Sequence, residues 1–266
     1  MSHNLLKGKH GIITGALDHN SIAWKIAEHA FLEGATFTLS NAPVAMRMGE
    51  INKLAEKTNS QIIPADATSV ADLENLFSKS IETLGGKIDF VLHSIGMSPN
   101  VRKQIPYTQS NYDFFQKSLD VSALSLHKML SVAMKLNAIN EWGSVVALSY
   151  IAAQRTFPFY GDMAEAKALL ESITRSFGYH YGKFKNVRVN TISQSPTKTT
   201  AGSGIKGFEE FFGFAEKMSP LGNASADSCA NYCISLFSDL TRMVTMQNLF
   251  HDGGYSMMGV NEEMMK

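Results

Sequence analysis

The sequence has no excess of either charge: 24 lysines and arginines balance 24 aspartates and glutamates over 266 residues. A neutral chain lacks the electrostatic footprint that draws nucleic acid or an anionic membrane, which argues against both as partners. Cysteine is scarce, with only Cys229 and Cys233. Four residues apart on a helical pattern, they share one face at a geometry poor for a mutual disulfide. Their spacing also fits no zinc pattern, so no metal is expected and both read as core filling. No apolar run reaches the 18 residues a membrane span needs, and Met1 to Lys9 holds no signal-peptide core. A cytoplasmic protein is the expectation. No linker, internal repeat or low-complexity tract divides the chain, and 44% of it is hydrophobic. That suits one well-filled domain over residues 1–266.

Within that domain, short apolar runs alternate with amphipathic stretches. Strands are expected at Gly11–Thr14, Thr36–Leu39, Gln61–Pro64, Ile88–His93, Ser144–Ser149, Val187–Ile192 and Gln247–His251. Helices are expected at Ser21–Glu33, Val44–Thr58, Ser69–Leu84, Asn111–Asn137, Tyr160–Tyr181 and Ala226–Phe237. Strands separated by helices require crossovers, and repeated crossovers build a parallel sheet covered on both faces. The fold class is therefore α/β, a Rossmann-type doubly wound sheet of about seven strands. Ligands bind such sheets outside the carboxyl ends of the strands.

A further absence stands at the first strand end. Thr14-Gly15-Ala16-Leu17-Asp18-His19-Asn20-Ser21-Ile22 contains no G-x-G-x-x-G, so the usual dinucleotide fingerprint is missing. What it does offer is a glycine at the turn and Ser21 placed to cap the next helix, whose free amides suit a pyrophosphate. An ordinary strand–helix loop reads the same way. The second strand end, Ser40-Asn41-Ala42-Pro43, carries no acid for ribose hydroxyls, and Arg47 lies near; NADH and NADPH both remain open. At the third, Asp66 in Ala65-Asp66-Ala67 can receive an adenine amino group or cap the helix beginning near Ser69. His93-Ser94-Ile95-Gly96 ends the fourth strand with small residues that let a ring or ribose approach the backbone. His93 itself reads first as a hydrogen-bonded strand-end residue.

After the fifth strand, Leu148-Ser149-Tyr150, comes Tyr160-Gly161-Asp162-Met163-Ala164-Glu165-Ala166-Lys167. Seven residues on a helix are offset by about 20° and about 10 Å, so Tyr160 and Lys167 are expected on one face. A phenol can polarise an oxygen, and an ammonium can hold ribose hydroxyls. Most helices carry such pairs as ordinary exposed residues. The run from Ser193 to Gly204 is small and polar and reads as a mobile segment. The phenylalanines at 208, 211, 212 and 214 follow it, forming either a water-excluding lid over residues 194–218 or a plain packing face. His251-Asp252-Gly253-Gly254 reads as an architectural turn.

Taken in order, these segments resemble the short-chain dehydrogenase/reductase superfamily, and more closely the enoyl-acyl-carrier-protein reductases of bacterial fatty acid synthesis. The resemblance is carried by Thr14-Gly15 with Ser21-Ile22-Ala23, His93 to Gly96, Leu148-Ser149-Tyr150, and Tyr160 with Met163 and Lys167. Val187-Arg188-Val189-Asn190 with Ser193, Gly202-Ser203-Gly204-Ile205 and Asp252-Gly253-Gly254 complete it. Ketone-reducing members place the lysine four residues after the tyrosine; here position 164 is alanine and the lysine is Lys167. The resemblance implies hydride transfer from NADH, or NADPH, to the β-carbon of a trans-2-enoyl thioester on acyl carrier protein. It implies catalytic roles for Tyr150, Tyr160 and Lys167, and a homotetramer. Gly15, Ser21, Ile22, Asp66, Ala67, Ser94, Ile95, Gly96, Lys167, Pro196, Thr197 and Thr199 would hold the cofactor. Met97, Ser98, Tyr150, Tyr160, Met163, Ile205 and Phe208 would line the substrate site. One departure is Ser195-Pro196-Thr197, where the family has Gly-Pro and an aliphatic residue. Two rival functions are a ketone-reducing 3-oxoacyl-carrier-protein reductase and a non-catalytic nucleotide sensor.

Overall fold

A computed structural model describes residues 2–47, 50–200, 202 and 207–262. In chain order its elements are β1 (His10–Thr14), α1 (Ile22–Leu32), β2 (Thr36–Ser40), α2 (Pro43–Met46), α3 (Ile51–Thr58), β3 (Gln61–Ile62), α4 (Val70–Leu84) and β4 (Ile88–His93). There follow α5 (Pro99–Arg102), α6 (Tyr112–Leu119), α7 (Ser125–Lys135), β5 (Ile139–Ser149), α8 (Met163–Lys185), β6 (Arg188–Gln194), α9 (Phe208–Met218), α10 (Ala226–Phe237) and β7 (Asn248–His251). The seven strands form one sheet in the order β3-β2-β1-β4-β5-β6-β7. Every pairing is parallel.

Why the strands read as unbroken apolar runs is visible in the two cores. Successive side chains leave a strand on opposite faces. Ile12, Val91 and Val145 enter the core under α4, α7 and α8, while Ile13, Leu92 and Val146 enter the core under α1, α3 and α10. Both faces being covered, no polar alternation is needed. Cys229 and Cys233 are buried in α10 as free thiols, in the second of these cores. No helix among the described residues is long and apolar enough to cross a membrane.

The order reverses between β1, which leads outward to β2 and β3, and β4, which leads to β5. Such a reversal opens a crevice at the carboxyl ends of the strands. The expected helix over Val44–Thr58 is instead two pieces, α2 and α3, with Glu50 outside helical geometry before the second. The expected helix over Asn111–Asn137 is one helical run in three parts, because Asp120–Leu124 between α6 and α7 widens into a π turn.

Most consequential for the site, α8 begins at Met163, not at Tyr160. Gly161 has φ +50°, a left-handed conformation that a right-handed helix cannot continue through. Tyr160 therefore sits in a turn before the helix, and the shared-face relation to Lys167 does not hold.

Candidate active site

The crevice begins at the β1–α1 turn. Gly15 has φ +88°, and a methyl group there would lie 1.9 Å from the Ser94 carbonyl oxygen. The end of β1 thus runs directly against the end of β4, and the Thr14 hydroxyl donates to Leu92 O at 2.8 Å across the same junction. Ser21 occupies the N-cap position of α1, but its hydroxyl donates to Asp18 O at 2.7 Å and makes no bond to the helix amides. The expected serine cap is absent. The side chain that would have closed that helix end is turned aside, which leaves its positive pole to an anion.

Beside the turn lies a cavity lined by Thr14, Asn41, Ala65, Asp66, Ala67 and Ile95. It is open to the strand ends and floored by Leu73, Leu76 and Met129. Asp66 does not cap α4. Its carboxylate accepts from Thr68 N and Thr68 Oγ1, and Ser69 is the residue that accepts from Asp72 N, at 3.2 Å. Small side chains, an apolar floor and polar edges at this place suit the flat ring and ribose of a dinucleotide. Ser40 and Asn41 bring no acid to the rim, and Arg47 is exposed at the end of α2.

Lys167 projects from the first two turns of α8 and is 8% exposed. Its Nζ donates to Leu148 O at 2.7 Å, at the end of β5. Burial lowers its pKa to about 8, with Glu171 acting in the opposite direction. Glu171 is itself buried and accepts from Ser149 Oγ at 2.7 Å and Gln154 Nε2 at 3.0 Å. A methyl group on Gly96 would lie 3.5 Å from Met163 Cε and 3.8 Å from Lys167 Nζ. Gly96, Met163 and Lys167 therefore meet where the ends of β4 and β5 face the crevice.

Tyr150, directly after β5, and Tyr160, in the turn before α8, have ring centroids 5.1 Å apart. Burial raises both phenol pKa values, and for Tyr150 the neighbouring Tyr160, Tyr255 and Asp252 add to it. Both hydroxyls are therefore protonated at neutral pH and able to donate. The Tyr150 hydroxyl is buried and has no hydrogen-bond partner among the described residues. Phe157 and Phe211 pack on Tyr150 at 5.3 and 6.1 Å, and Tyr255 on Phe157 at 6.4 Å. Sequence reasoning missed the parts played by Phe157 and Tyr255, because nothing periodic joins residues about a hundred positions apart.

The loop after β4 is held from below. Met97 N donates to Ser122 Oγ at 3.0 Å, and Ser122 lies in the π turn. That extra residue in the helical run aims the hydroxyl at the loop, a use often made of π turns. Ser98 is 4% exposed and its hydroxyl both caps α5, accepting from Val101 N, and donates to Asp162. It is committed to the loop and does not line an open substrate surface. His93 bonds Ser125 Oγ at 2.7 Å and is wholly buried. Burial and Lys167 push its pKa down to about 3. A neutral, enclosed imidazole is a strand-end support, as its position suggests.

After β6 the described part of the polar run is tied to its neighbours by hydrogen bonds. Ser193 and Gln194 belong to the strand, and Ser195 is buried, its Oγ accepting from Ala224 N at 2.8 Å. Small polar residues stay ordered here because the end of β7 and residue 224 supply their partners. Pro196 is buried, and the Thr197 hydroxyl donates to Ser195 O at 3.0 Å and accepts from Gln194 Nε2 at 3.2 Å. Threonine in place of the family's aliphatic residue is thereby satisfied locally. Thr199 Oγ1 accepts from Gly202 N, and Thr200 Oγ1 donates to Asp18 at 2.6 Å, joining this segment to the β1–α1 loop. Phe208, 8% exposed, begins α9. Ile205 and the pair Ser203-Gly204 lie outside the described residues. The turn after β7 is architectural: Asp252 accepts from Gly254 N and Ser256 N.

A parallel doubly wound sheet with a tyrosine and a buried lysine at its β4–β5 ends defines a dinucleotide-dependent reductase of the short-chain type. A family profile described as enoyl-(acyl carrier protein) reductase matches residues 15–256. The NADH-type enoyl-[acyl-carrier-protein] reductase FabI of Rickettsia bellii is 35% identical over 266 residues, covering 98% of this chain and 99% of its own. The crystal structure of the FabI–NADH complex from Alistipes finegoldii is 64% identical, with a TM-score of 0.96 over 97% of this chain and 92% of that one. FabI from Aquifex aeolicus aligns with a TM-score of 0.89 at 31% identity, over 97% of this chain and all of its own. The chain belongs to the enoyl-acyl-carrier-protein reductase family. That membership stands against the ketone-reducing and sensor alternatives.

Proposed function

We propose that this chain reduces the carbon–carbon double bond of a trans-2-enoyl thioester carried on acyl carrier protein, with NADH as reductant, and completes a round of fatty acid elongation. The observation that carries the reading is the convergence of Gly96, Lys167 and Met163 at the strand ends, in a chain that also carries two neutral phenols after β5 and a small cavity at the ends of β1, β2 and β3. When bound, NADH supplies the hydride for the β-carbon. The resulting enolate takes its α-carbon proton from solvent, and the chain's own residues bind, orient and enclose the reactants.

The turn at Gly15, the α1 end at Ser21 and Ile22, and the wall from Asp66 and Ala67 to Ser94 and Ile95 hold the cofactor. Lys167 orients its ribose, and Pro196, Thr197 and Thr199 border its far end. Tyr160 donates its hydroxyl hydrogen bond to the thioester oxygen as negative charge develops there, which is where such a contact helps most. Tyr150, Met97, Met163 and Phe208 shape the acyl side. The described residues of the 194–218 segment form a cover that excludes water, a reading supported by the bond from Thr200 to Asp18 and the packing of Phe211 on Tyr150. The chain works as a cytoplasmic homotetramer.

The test follows loss of absorbance from NADH and NADPH in parallel, with crotonyl and 3-oxoacyl thioesters. Oxidation of NADH with the enoyl substrate is expected; turnover of the 3-oxoacyl substrate alone refutes the reading. Tyr160→Phe is expected to lower kcat by about 10²-fold or more, the usual scale for a positioned proton donor, with the thermal midpoint unchanged. Wild-type turnover in that variant would remove Tyr160 from the reaction.

A further inference from the structure

Two residues after Tyr160 lies a carboxylate that the reaction does not use. Asp162 is 0% exposed, and its partners come from two other parts of the fold. Oδ1 accepts from Ser98 Oγ at 2.5 Å; Oδ2 accepts from Asn100 Nδ2 at 2.8 Å and from Ser118 Oγ at 2.8 Å. All three partners are neutral. Its side chain makes no capping bond to α8, although Asp162 O accepts from Ala166 N at 3.1 Å. The carboxylate is spent on holding segments together.

We infer that Asp162 is a positioning residue: its buried carboxylate fixes the turn carrying Tyr160 against the loop that follows β4 and against α6. The inference rests on the reading that places Tyr160 in the reaction. Burying a carboxylate is costly unless its lone pairs are satisfied, and an apolar side chain would fill this space without that cost. What the carboxylate adds is direction. Ser98 and Asn100 lie one and three residues past Met97, and Asn100 binds the backbone of Asn111 at the start of α6 through both its amide groups. Ser118 lies in the last turn of α6, two residues before the π turn that brings Ser122 to Met97. One side chain therefore registers Tyr160 to both supports of the Met97 loop. The turn itself is tight, since a methyl group on Gly161 would come within 3.1 Å of Val101 Cγ2. Tyr160 itself makes the backbone bonds Tyr160 N to Phe157 O and Met163 N to Tyr160 O, and its ring packs on Tyr150.

The test is a double-mutant cycle on the full chain with crotonyl thioester and NADH. Asp162→Ala is expected to lower kcat by about tenfold to a hundredfold, the scale of a displacement near 1 Å. KM for the thioester and the NADH dissociation constant should stay within about threefold, because the loss falls on the reacting geometry. Asp162→Asn keeps an acceptor for Asn100 and Ser118 and offers its amide to Ser98, so it should recover kcat to within about threefold. In a Tyr160→Phe background, Asp162→Ala should add less than about twofold, since the group it positions is gone. An equal loss in both backgrounds, or an unchanged kcat in Asp162→Ala alone, overturns the inference while leaving the role of Tyr160 intact. Wild-type turnover in Tyr160→Phe overturns both. Should Asp162→Ala not fold, Ser118→Ala removes a single donor; it should slow turnover several-fold with Tyr160 present, and an additive effect without it overturns the inference.

Discussion

Replacing Lys167 with methionine should separate stability from function. The amine is 8% exposed, and burial lowers its pKa from 10.5 to about 8. At about 1.4 kcal/mol per tenfold change in acidity, keeping it protonated at pH 7 without a ligand costs ~3 kcal/mol. Methionine removes that cost and fills nearly the same volume. Against it stands Leu148 O, which loses its 2.7 Å partner, a loss of about 1–3 kcal/mol for a buried acceptor. The variant should therefore be at least as stable as the parent at pH 7, by 0 to ~2 kcal/mol. The difference has a direction with pH. Below pH 8 both folded and unfolded parent carry the proton and the full cost is present. From pH 8 to 10.5 the folded chain gives up its proton first, so the parent gains stability relative to the variant. Urea titrations at pH 7 and pH 10 measure this. NADH titration at pH 7 should show the dissociation constant raised about tenfold or more, the scale of a lost charged hydrogen bond. A variant several kcal/mol less stable at pH 7, with NADH binding unchanged, would refute the reasoning, because the amine would then be a structural strut.

Gly15→Ala combines a left-handed φ with a 1.9 Å approach to Ser94 O. It should cost about 2 kcal/mol or more, lower the thermal midpoint by at least ~5 °C, and weaken NADH binding; calorimetry showing no shift would mean the turn relaxes freely. Ser69→Ala removes the Asp72 N acceptor at the start of α4 and should cost about 1 kcal/mol in a urea titration with kcat unchanged. Phe211→Ala removes ring contacts with Tyr150 and Phe157 at 6.1 and 5.1 Å. It should raise KM for enoyl thioesters by about 3- to 10-fold, matching about 0.5–1.5 kcal/mol per aromatic pair, without moving the NADH dissociation constant.

Much of the scaffold was legible because buried parallel strands leave an unambiguous mark. Ile88–His93 and Ala226–Phe237 appear with the bounds expected of them, one as an apolar run interrupted only by Asp89, the other between a serine cap and a polar stop. The strand ends told where to look. Local partner choice was less legible. Ser21 stands where a cap belongs, yet the Asp18 carbonyl three residues back competes for its hydroxyl and wins. Ser98 carries a polar group beside the substrate loop, but its partner is 64 residues away. Arg188, 2% exposed, is committed to the carbonyls of Leu236, Ser238 and Thr241 at the end of α10. No spacing rule announces such a contact. The aromatic group around Tyr150 is likewise assembled by topology, from α9 and the turn after β7.

The seven-residue interval between Tyr160 and Lys167 looked like a helical relation, and it is not one. Gly161, visible in the sequence, was the signal against it: a residue at φ +50° between the two cannot lie inside a right-handed helix. The distinction has chemical weight. Two groups on one helical face move together, so any shift of the helix shifts both. Here Lys167 is tied to β5, through Leu148 O directly and through Glu171 to Ser149. Tyr160 is tied to a turn whose tertiary anchor, Asp162, reaches the loop after β4 and α6. The lysine thus takes its position from the end of β5, and the tyrosine from the Asp162 anchor on the loop after β4 together with the Tyr150 ring just past β5. On the proposed reading, in which Lys167 holds the ribose and Tyr160 the thioester oxygen, a change at Asp162 should therefore act on the tyrosine before the lysine.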